Sequence, residues 1–239
     1  NKNDLMFKSV TKRLFIIRYL VIKQLSDLKM ATILFNHSLK IDPAFKVDRY
    51  MYLFENMVHH LDISNNNVKS TNFLTKMTNH LNLSNNRIVS VIGLENMTHD
   101  LNLSNNRIID YSVLINMIHG LNLSNNDITN LPFLKNLLYN VNLSYNQIVN
   151  VYNLRNITHF LNLSHNKIVN ISFLKNMTHD LNLYFNQIVD ISSLINMIYN
   201  LNLSANHIVD ISFLKNMTHN LDLSFNYIID ISSLINMIY

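Results

Sequence analysis

The chain has 239 residues, of which 48% are hydrophobic and 14% charged, so it can bury a sizeable core and is not a disordered chain. It has no cysteine and only two glycines and two prolines, which excludes disulfide scaffolds, cysteine-based zinc sites and glycine-rich phosphate loops. Residues 1–50 hold ten Lys or Arg and four Asp, whereas residues 51–239 hold nine basic and eleven acidic residues and so lack the basic stripe of a nucleic-acid groove.

Residues 1–53 are predicted to form a basic N-terminal helical cap. Apolar residues recur there at spacings of three and four, the pattern of one helical stripe: Leu14, Ile17, Val21, Leu25 and Leu28. The apolar run from Leu14 to Ile22 is interrupted by Arg18, and it is far shorter than the roughly 20 residues of a membrane span. We interpret the segment as a cover for the open end of the array that follows. The alternative is a basic amphipathic helix that docks on a membrane surface or a partner protein.

Residues 54–239 form an array of twenty-residue units with no insertion or deletion. One partial unit precedes nine units that begin at Leu61, the last of which ends one residue short. Their common form, LxLSxNxIxxIxxLxNMxxx, defines unit positions 1 to 20. A period in the twenties with L-x-L and a following asparagine is the signature of leucine-rich repeats. The chain resembles that family over roughly three quarters of its length, and the unit is similar to the internalin and phosphatase-regulator type, shortened on the return side.

The resemblance implies an α/β repeat solenoid, a horseshoe with a parallel β-sheet on its concave face. The residues independently predict stacked coils, because positions 1 and 3 alternate with polar positions 2 and 4, as in a short strand. Positions 1, 3, 8, 11, 14 and 17 are apolar and would share one core between neighbouring coils.

Position 6 is asparagine in every unit, at a sharp turn that leaves backbone polar groups facing inward. An amide side chain can donate to and accept from such groups, so a structural ladder is predicted. Its members are Asn66, Asn86, Asn106, Asn126, Asn146, Asn166, Asn186, Asn206 and Asn226.

Histidine recurs at position 19, which raises the question of a metal site. No carboxylate or cysteine column accompanies the histidines, and a duplicated unit produces such a column without any chemistry. We therefore expect partly exposed copies of the repeat, with no metal and no cofactor. The residues are His59, His99, His119, His159, His179 and His219.

Two pairs of units provide an internal comparison. Residues 161–199 align with residues 201–239 and differ at eight of 39 positions. All eight lie at unit positions 20, 2, 4, 5, 7, 9 or 10, on or beside the strand, whereas positions 11 to 19 are identical. The variation therefore favours a diversified binding face on the strand side, against chance after a recent duplication.

Exposed aromatic residues on a polar surface are typical anchors for a protein partner. The predicted anchors at positions 4, 5 and 7 are Tyr145, Tyr184, Phe185, Phe225 and Tyr227, together with His165, and Arg87 and Arg107 are polar contacts nearer the N-terminal end. The alternative is that these rings turn away and merely pack on their neighbours.

These features predict a non-catalytic scaffold that binds a protein or peptide on the concave strands. The alternative is an adaptor whose N-terminal helices dock on a larger complex or membrane surface while the repeats select a target. No nucleophile–base grouping or carboxylate pair stands outside the repeat, so no enzyme activity is expected.

Secreted members of the leucine-rich-repeat family, which the chain resembles, commonly carry disulfide caps. The lack of cysteine therefore favours an intracellular, cytoplasmic setting. The chain ends inside a consensus unit, which predicts a longer chain or an oligomeric contact over the last coil.

Overall fold

The computed structural model describes residues 55, 58, 60–131, 139–235 and 237, and the predicted N-terminal cap lies outside these residues. Nine short parallel strands form one sheet in sequence order, so the predicted parallel-strand solenoid is confirmed. Each strand pairs in register with the equivalent strand of the next unit, as Leu61 does with Leu81. The strands are β1 (Leu61–Asp62), β2 (Leu81–Asn82), β3 (Leu101–Asn102), β4 (Leu121–Asn122), β5 (Val141–Asn142), β6 (Phe160–Asn162), β7 (Asp180–Asn182), β8 (Leu201–Asn202) and β9 (Leu221–Asp222).

The core lies inside the coils and is built from the apolar columns of the repeat. In the third unit, Leu103, Ile108, Leu114 and Met117 are completely buried. Equivalent residues of the preceding coil are buried in the same way, and all belong to one continuous apolar cluster. Because each coil covers its neighbours, the core is shared along the solenoid and belongs to no single unit.

Two backbone ladders of opposite direction join the coils. On the strand side, the N–H of one coil donates to a carbonyl of the next, as Leu103 does to Asn122 at 2.8 Å. On the return side the direction reverses, and the N–H of Thr98 donates to the carbonyl of Thr78 in the preceding coil at 3.0 Å. These bonds satisfy the backbone at a fixed offset from one coil to the next, which keeps equivalent side chains in straight columns.

The helices of the return side correct the α/β prediction for the described residues. They are 3₁₀ turns of three residues and not α-helices: Tyr152–Leu154, Ser172–Leu174, Ser192–Leu194, Ser212–Leu214 and Ser232–Leu234. A 3₁₀ turn rises about 2.0 Å per residue, so it spans the return path of a short coil with fewer residues than an α-helix. None of the helices in the described ranges has the length and apolarity that crossing a membrane requires.

Candidate interaction surface

The position-6 asparagines hold the turn that follows each strand. Nδ2 of Asn106 donates to the carbonyls of Leu83 and Leu103, both at 3.0 Å. Its Oδ1 accepts the N–H of Ile88 at 3.0 Å. The same three kinds of bond recur at every ladder asparagine from Asn86 to Asn226. One side chain thus ties its own coil to the preceding one, and it fixes the backbone beside position 5.

Position 5 has a left-handed backbone in all nine units. Its φ angles lie between 53° and 62°: Asn65, Asn85, Asn105, Asn125, Tyr145, His165, Phe185, Ala205 and Phe225. Asparagine tolerates this conformation, whereas most other residues with a Cβ lose about 1–2 kcal/mol there. Backbone hydrogen bonds between coils hold this conformation. The N–H of Phe185 donates to the carbonyl of Ser204 at 3.0 Å, and the N–H of Tyr145 donates to that of Ser164 at 2.9 Å.

Three of the predicted anchors stack on one another at position 5. The centroids of Tyr145 and His165 are 4.0 Å apart at 15°, and those of His165 and Phe185 are 5.0 Å apart at 29°. Tyr184 contacts His165 edge-on at 4.9 Å. Tyr145 and Phe185 each remain 55% exposed, and partial burial lowers the pKa of His165. We call Tyr145, His165 and Phe185 the ring column; it is a continuous aromatic surface across three coils.

The other predicted contact residues lie apart from the ring column. Phe225 is 85% exposed and is separated from Phe185 by Ala205, and Tyr227 stacks with His207 at 6.0 Å. Arg87 and Arg107 are exposed at position 7, two or more coils before the first ring of the column. The structure therefore brings together the middle of the predicted site, with separate polar and aromatic groups toward its two ends.

The outward side of the sheet, which we call the strand face, carries a groove outside the set of predicted contact residues. It has a volume of about 890 Å³ and is lined by residues of positions 20, 1 and 2 in the first units. His60 and His80 stack there at 4.3 Å, and Nδ1 of His80 lies 3.0 Å from Oδ2 of Asp100. Phe160, at position 20 in β6, ends this groove and begins a second one of about 480 Å³. The strand period of two was the available signal, because it places position 20 on the same face as position 2.

The position-2 asparagines present amide groups to these grooves. Oδ1 of Asn102 accepts the N–H of Ser104 at 3.1 Å and its hydroxyl at 2.8 Å. The N–H bond to the position-4 residue recurs from Asn82 to Asn202. Since the oxygen is engaged in each case, Nδ2 is the group left for a ligand. The strand face is therefore a row of fixed hydrogen-bond donors, one for each coil from the second to the eighth, with the acceptors Asp62 and Asp222 at its two ends.

The position-19 histidines are half-buried or exposed where the structure describes them, and His59 lies outside the described residues. They stack in pairs along the solenoid, as His159 and His179 do at 4.7 Å and 17°. Nδ1 of His179 is 2.8 Å from Oγ1 of Thr178. No group of three or more metal-ligating side chains is assembled within the described part of the chain.

No family model matches the chain, and no curated protein matches it. Solved structures with the same fold include two internalins of Listeria monocytogenes. One, InlF, has a TM-score of 0.63 and 24% identity over 77% of this chain and 67% of its own. The other, internalin C2, has a TM-score of 0.55 and 26% identity over 72% and 83%.

A plant structure has the same fold. It is the leucine-rich-repeat ectodomain of the Arabidopsis thaliana receptor kinase GASSHO1/SCHENGEN3, in complex with Casparian strip integrity factor 2. It has a TM-score of 0.55 and 22% identity over 73% of this chain, and the chain spans 25% of its length. Together with the repeat motif and the in-register parallel sheet, these likenesses support a leucine-rich-repeat protein.

Proposed function

We propose that this leucine-rich-repeat protein is a non-catalytic scaffold that binds a protein or peptide on the concave, strand-bearing side of a horseshoe. The ring column supplies the central anchors, and Tyr184 contacts it edge-on. Phe225 and Tyr227 extend the contact toward the last coil, and Arg87 and Arg107 provide polar contacts nearer the first.

The observation that carries the proposal is the conflict between side chain and backbone in the ring column. Tyr145 and Phe185 occupy left-handed positions that four other units fill with asparagine. Each such ring costs about 1–2 kcal/mol of backbone strain, and an aromatic pair returns only about 0.5–1.5 kcal/mol. The rings therefore add little to stability, and they stay half exposed. Strained, exposed aromatic groups are typical of binding sites.

The likenesses support the same function at the level of the fold. The Arabidopsis leucine-rich-repeat ectodomain was solved in complex with Casparian strip integrity factor 2, so a solenoid of this fold binds another molecule in that protein. The adaptor alternative depends on residues 1–53, which lie outside the described residues, and it stays a prediction. The intracellular setting expected from the lack of cysteine stays a prediction as well.

Affinity capture from the source cell with a double variant, Tyr145→Asn and Phe185→Asn, tests the proposal. Asparagine occupies the same backbone position at Asn105 and Asn125, so the variant keeps its fold while losing two anchors. We expect the captured protein to fall at least tenfold, as the loss of two anchors worth more than about 1 kcal/mol each implies.

The matched control changes two exposed residues of the return side, Lys175→Ala and Ser192→Ala, and should capture as the parent does. Excess parent protein should compete for the captured partner, whereas excess double variant should not. Equal capture by the parent and the double variant would defeat the assignment of the ring column.

A further inference from the structure

The aromatic side chains at position 5 are interrupted at Ala205, which has no ring. Phe185 lies one coil before it and Phe225 one coil after it. Successive parallel strands are about 4.8 Å apart, so the two phenyl groups are carried about 9.6 Å apart. The rings of this chain stack on neighbouring coils at 4.0 and 5.0 Å. One planar group placed over Ala205 would therefore lie at the same stacking distance from both phenyl faces.

The backbone at Ala205 is the same as at the two walls. Its φ angle is 53°, against 56° at Phe185 and 55° at Phe225, so the three Cα–Cβ bonds leave the coil in the same way. Alanine lacks the preference of asparagine for this conformation, and it has no ring to stack. Its methyl group is small, so it leaves open space between the neighbouring phenyl groups. We call the volume over Ala205, between Phe185 and Phe225, the slot.

The net negative charge of the last three units, which carry the slot, favours a cationic occupant. Residues 181–239 hold one lysine, no arginine, two histidines and four aspartates: Lys215, His207, His219, Asp190, Asp210, Asp222 and Asp230. The hydroxyl of Ser224 donates to Asp222 and lowers its pKa, so this carboxylate stays ionised throughout the neutral range. A cation over an aromatic face is attracted when it lies within about 6 Å of the ring centroid. The guanidinium of arginine is both planar and cationic, whereas lysine is a compact, strongly hydrated charge.

We propose that the slot binds the guanidinium group of an arginine side chain of the partner, sandwiched between Phe185 and Phe225. This inference rests on the proposed function, and it specifies one residue type that the partner must present. It also assigns a role to Phe225, which lies outside the stacked ring column and is the most exposed of the predicted anchors at position 5.

Methyl NMR tests the slot with a small probe, N-acetyl-arginine amide. The chain contains three alanines, Ala31, Ala44 and Ala205, so a protein labelled only at alanine methyl groups gives three signals. We expect a saturable shift of the Ala205 signal with the arginine probe, and binding about tenfold weaker for N-acetyl-lysine amide. Phe225→Asn should weaken arginine binding about tenfold, whereas Lys175→Ala, on the return side, should leave it unchanged.

Filling the slot provides the second measurement. Phenylalanine already occupies this backbone conformation at Phe185 and Phe225, so Ala205→Phe is compatible with the fold. Saturation transfer from protein to the arginine probe should be lost in that variant. A transfer signal that survives Ala205→Phe, or tighter binding of N-acetyl-phenylalanine amide than of the arginine probe, would overturn the proposal. If the slot fails while the Tyr145→Asn, Phe185→Asn protein still loses its partner, the scaffold function stands without it.

Discussion

A ladder asparagine stabilises two coils at once, which makes its removal costly. Truncation by Asn106→Ala leaves the buried N–H of Ile88 without a partner. It also removes one of the two amide donors to each of the carbonyls of Leu83 and Leu103, which Asn86 and Asn126 still contact. The orphaned N–H costs about 1–3 kcal/mol and each lost hydrogen bond about 1 kcal/mol, so the free energy of unfolding should fall by about 3 kcal/mol. Asn102→Ala, on the strand face, should lose about 1 kcal/mol, because it removes only the bonds to Ser104. Urea denaturation of the two variants measures the difference, and similar losses would contradict the ladder's role.

Backbone strain at position 5 predicts an unusual order of stabilities. Phe185→Ala removes the stacking on His165 but keeps a residue that disfavours the left-handed backbone. Phe185→Asn removes the same stacking and relieves the strain. The asparagine variant should therefore be the more stable of the two by about 1 kcal/mol, measured by denaturation. The reverse order would show that the conformation carries no penalty here.

The aspartates at position 10 make the return turns sensitive to acid. The N–H of Ser212 donates to Oδ1 of Asp210 at 2.8 Å, and this bond and the Ser212 hydroxyl lower the pKa of Asp210, while Asp230 opposes them. A lowered pKa in the folded state means that the stabilisation is present above the ordinary aspartate range and is lost as the pH falls through the folded pKa. Asn170 makes the same bond to Ser172 without a charge. As the pH falls from 5 to about 3, the melting temperature of the parent should therefore fall further than that of the Asp210→Asn variant. A difference in melting temperature between the two proteins that stays constant with pH would refute this.

At the scale of a coil, the two glycines of the chain should differ in how well they tolerate substitution by alanine. Gly93 has a φ of 98°, and a Cβ there would meet the carbonyl oxygen of Thr71 at 2.6 Å. At Gly120 the nearest atom is Oδ1 of Asp100 at 2.7 Å, the end of a side chain that can rotate away. Gly93→Ala should cost about 2–3 kcal/mol, and Gly120→Ala no more than about 1 kcal/mol. Thermal denaturation of the two single variants distinguishes them, and equal costs would argue against the close approach at Thr71.

The coil also shows how far the sequence could lead. The alternation around Leu101 and Leu103 was enough to predict the strands, and Asn106 predicted a ladder, because each follows from a period visible in one unit. The left-handed backbone at Tyr145 was hidden, although its signal was present in the asparagines at Asn85 and Asn105. Ring stacking and the strand-face groove depend on the geometry between equivalent residues of neighbouring coils, which no single unit encodes. The α/β class did not specify the return side, where the later units have short 3₁₀ turns such as Ser172–Leu174.

At the scale of the whole molecule, stability should depend on nearest-neighbour contacts between coils, since each coil packs only on the coils beside it. Deleting residues 161–180 joins Phe160 to Leu181 and keeps every remaining column in register. Tyr145 then lies one coil from Phe185, so the ring column is shortened but not broken. This variant should unfold cooperatively, with a urea m-value lower by about a tenth because one coil fewer is buried.

Deleting residues 161–181 removes one residue more and should have a different outcome. Phe160 is then followed by Asn182, so Asn182 and Tyr184 take the core-facing positions and Leu183 turns outward. A shift of one residue exchanges the two faces of a strand, which places an amide among buried leucines. We expect this variant to lose several kcal/mol of its free energy of unfolding, or to lose its cooperative unfolding transition altogether. The deletion of one whole unit should keep that transition. Circular dichroism and urea denaturation of the pair compare them directly. If the two deletions were equally stable, the fixed period of the coils would not be what holds the solenoid together.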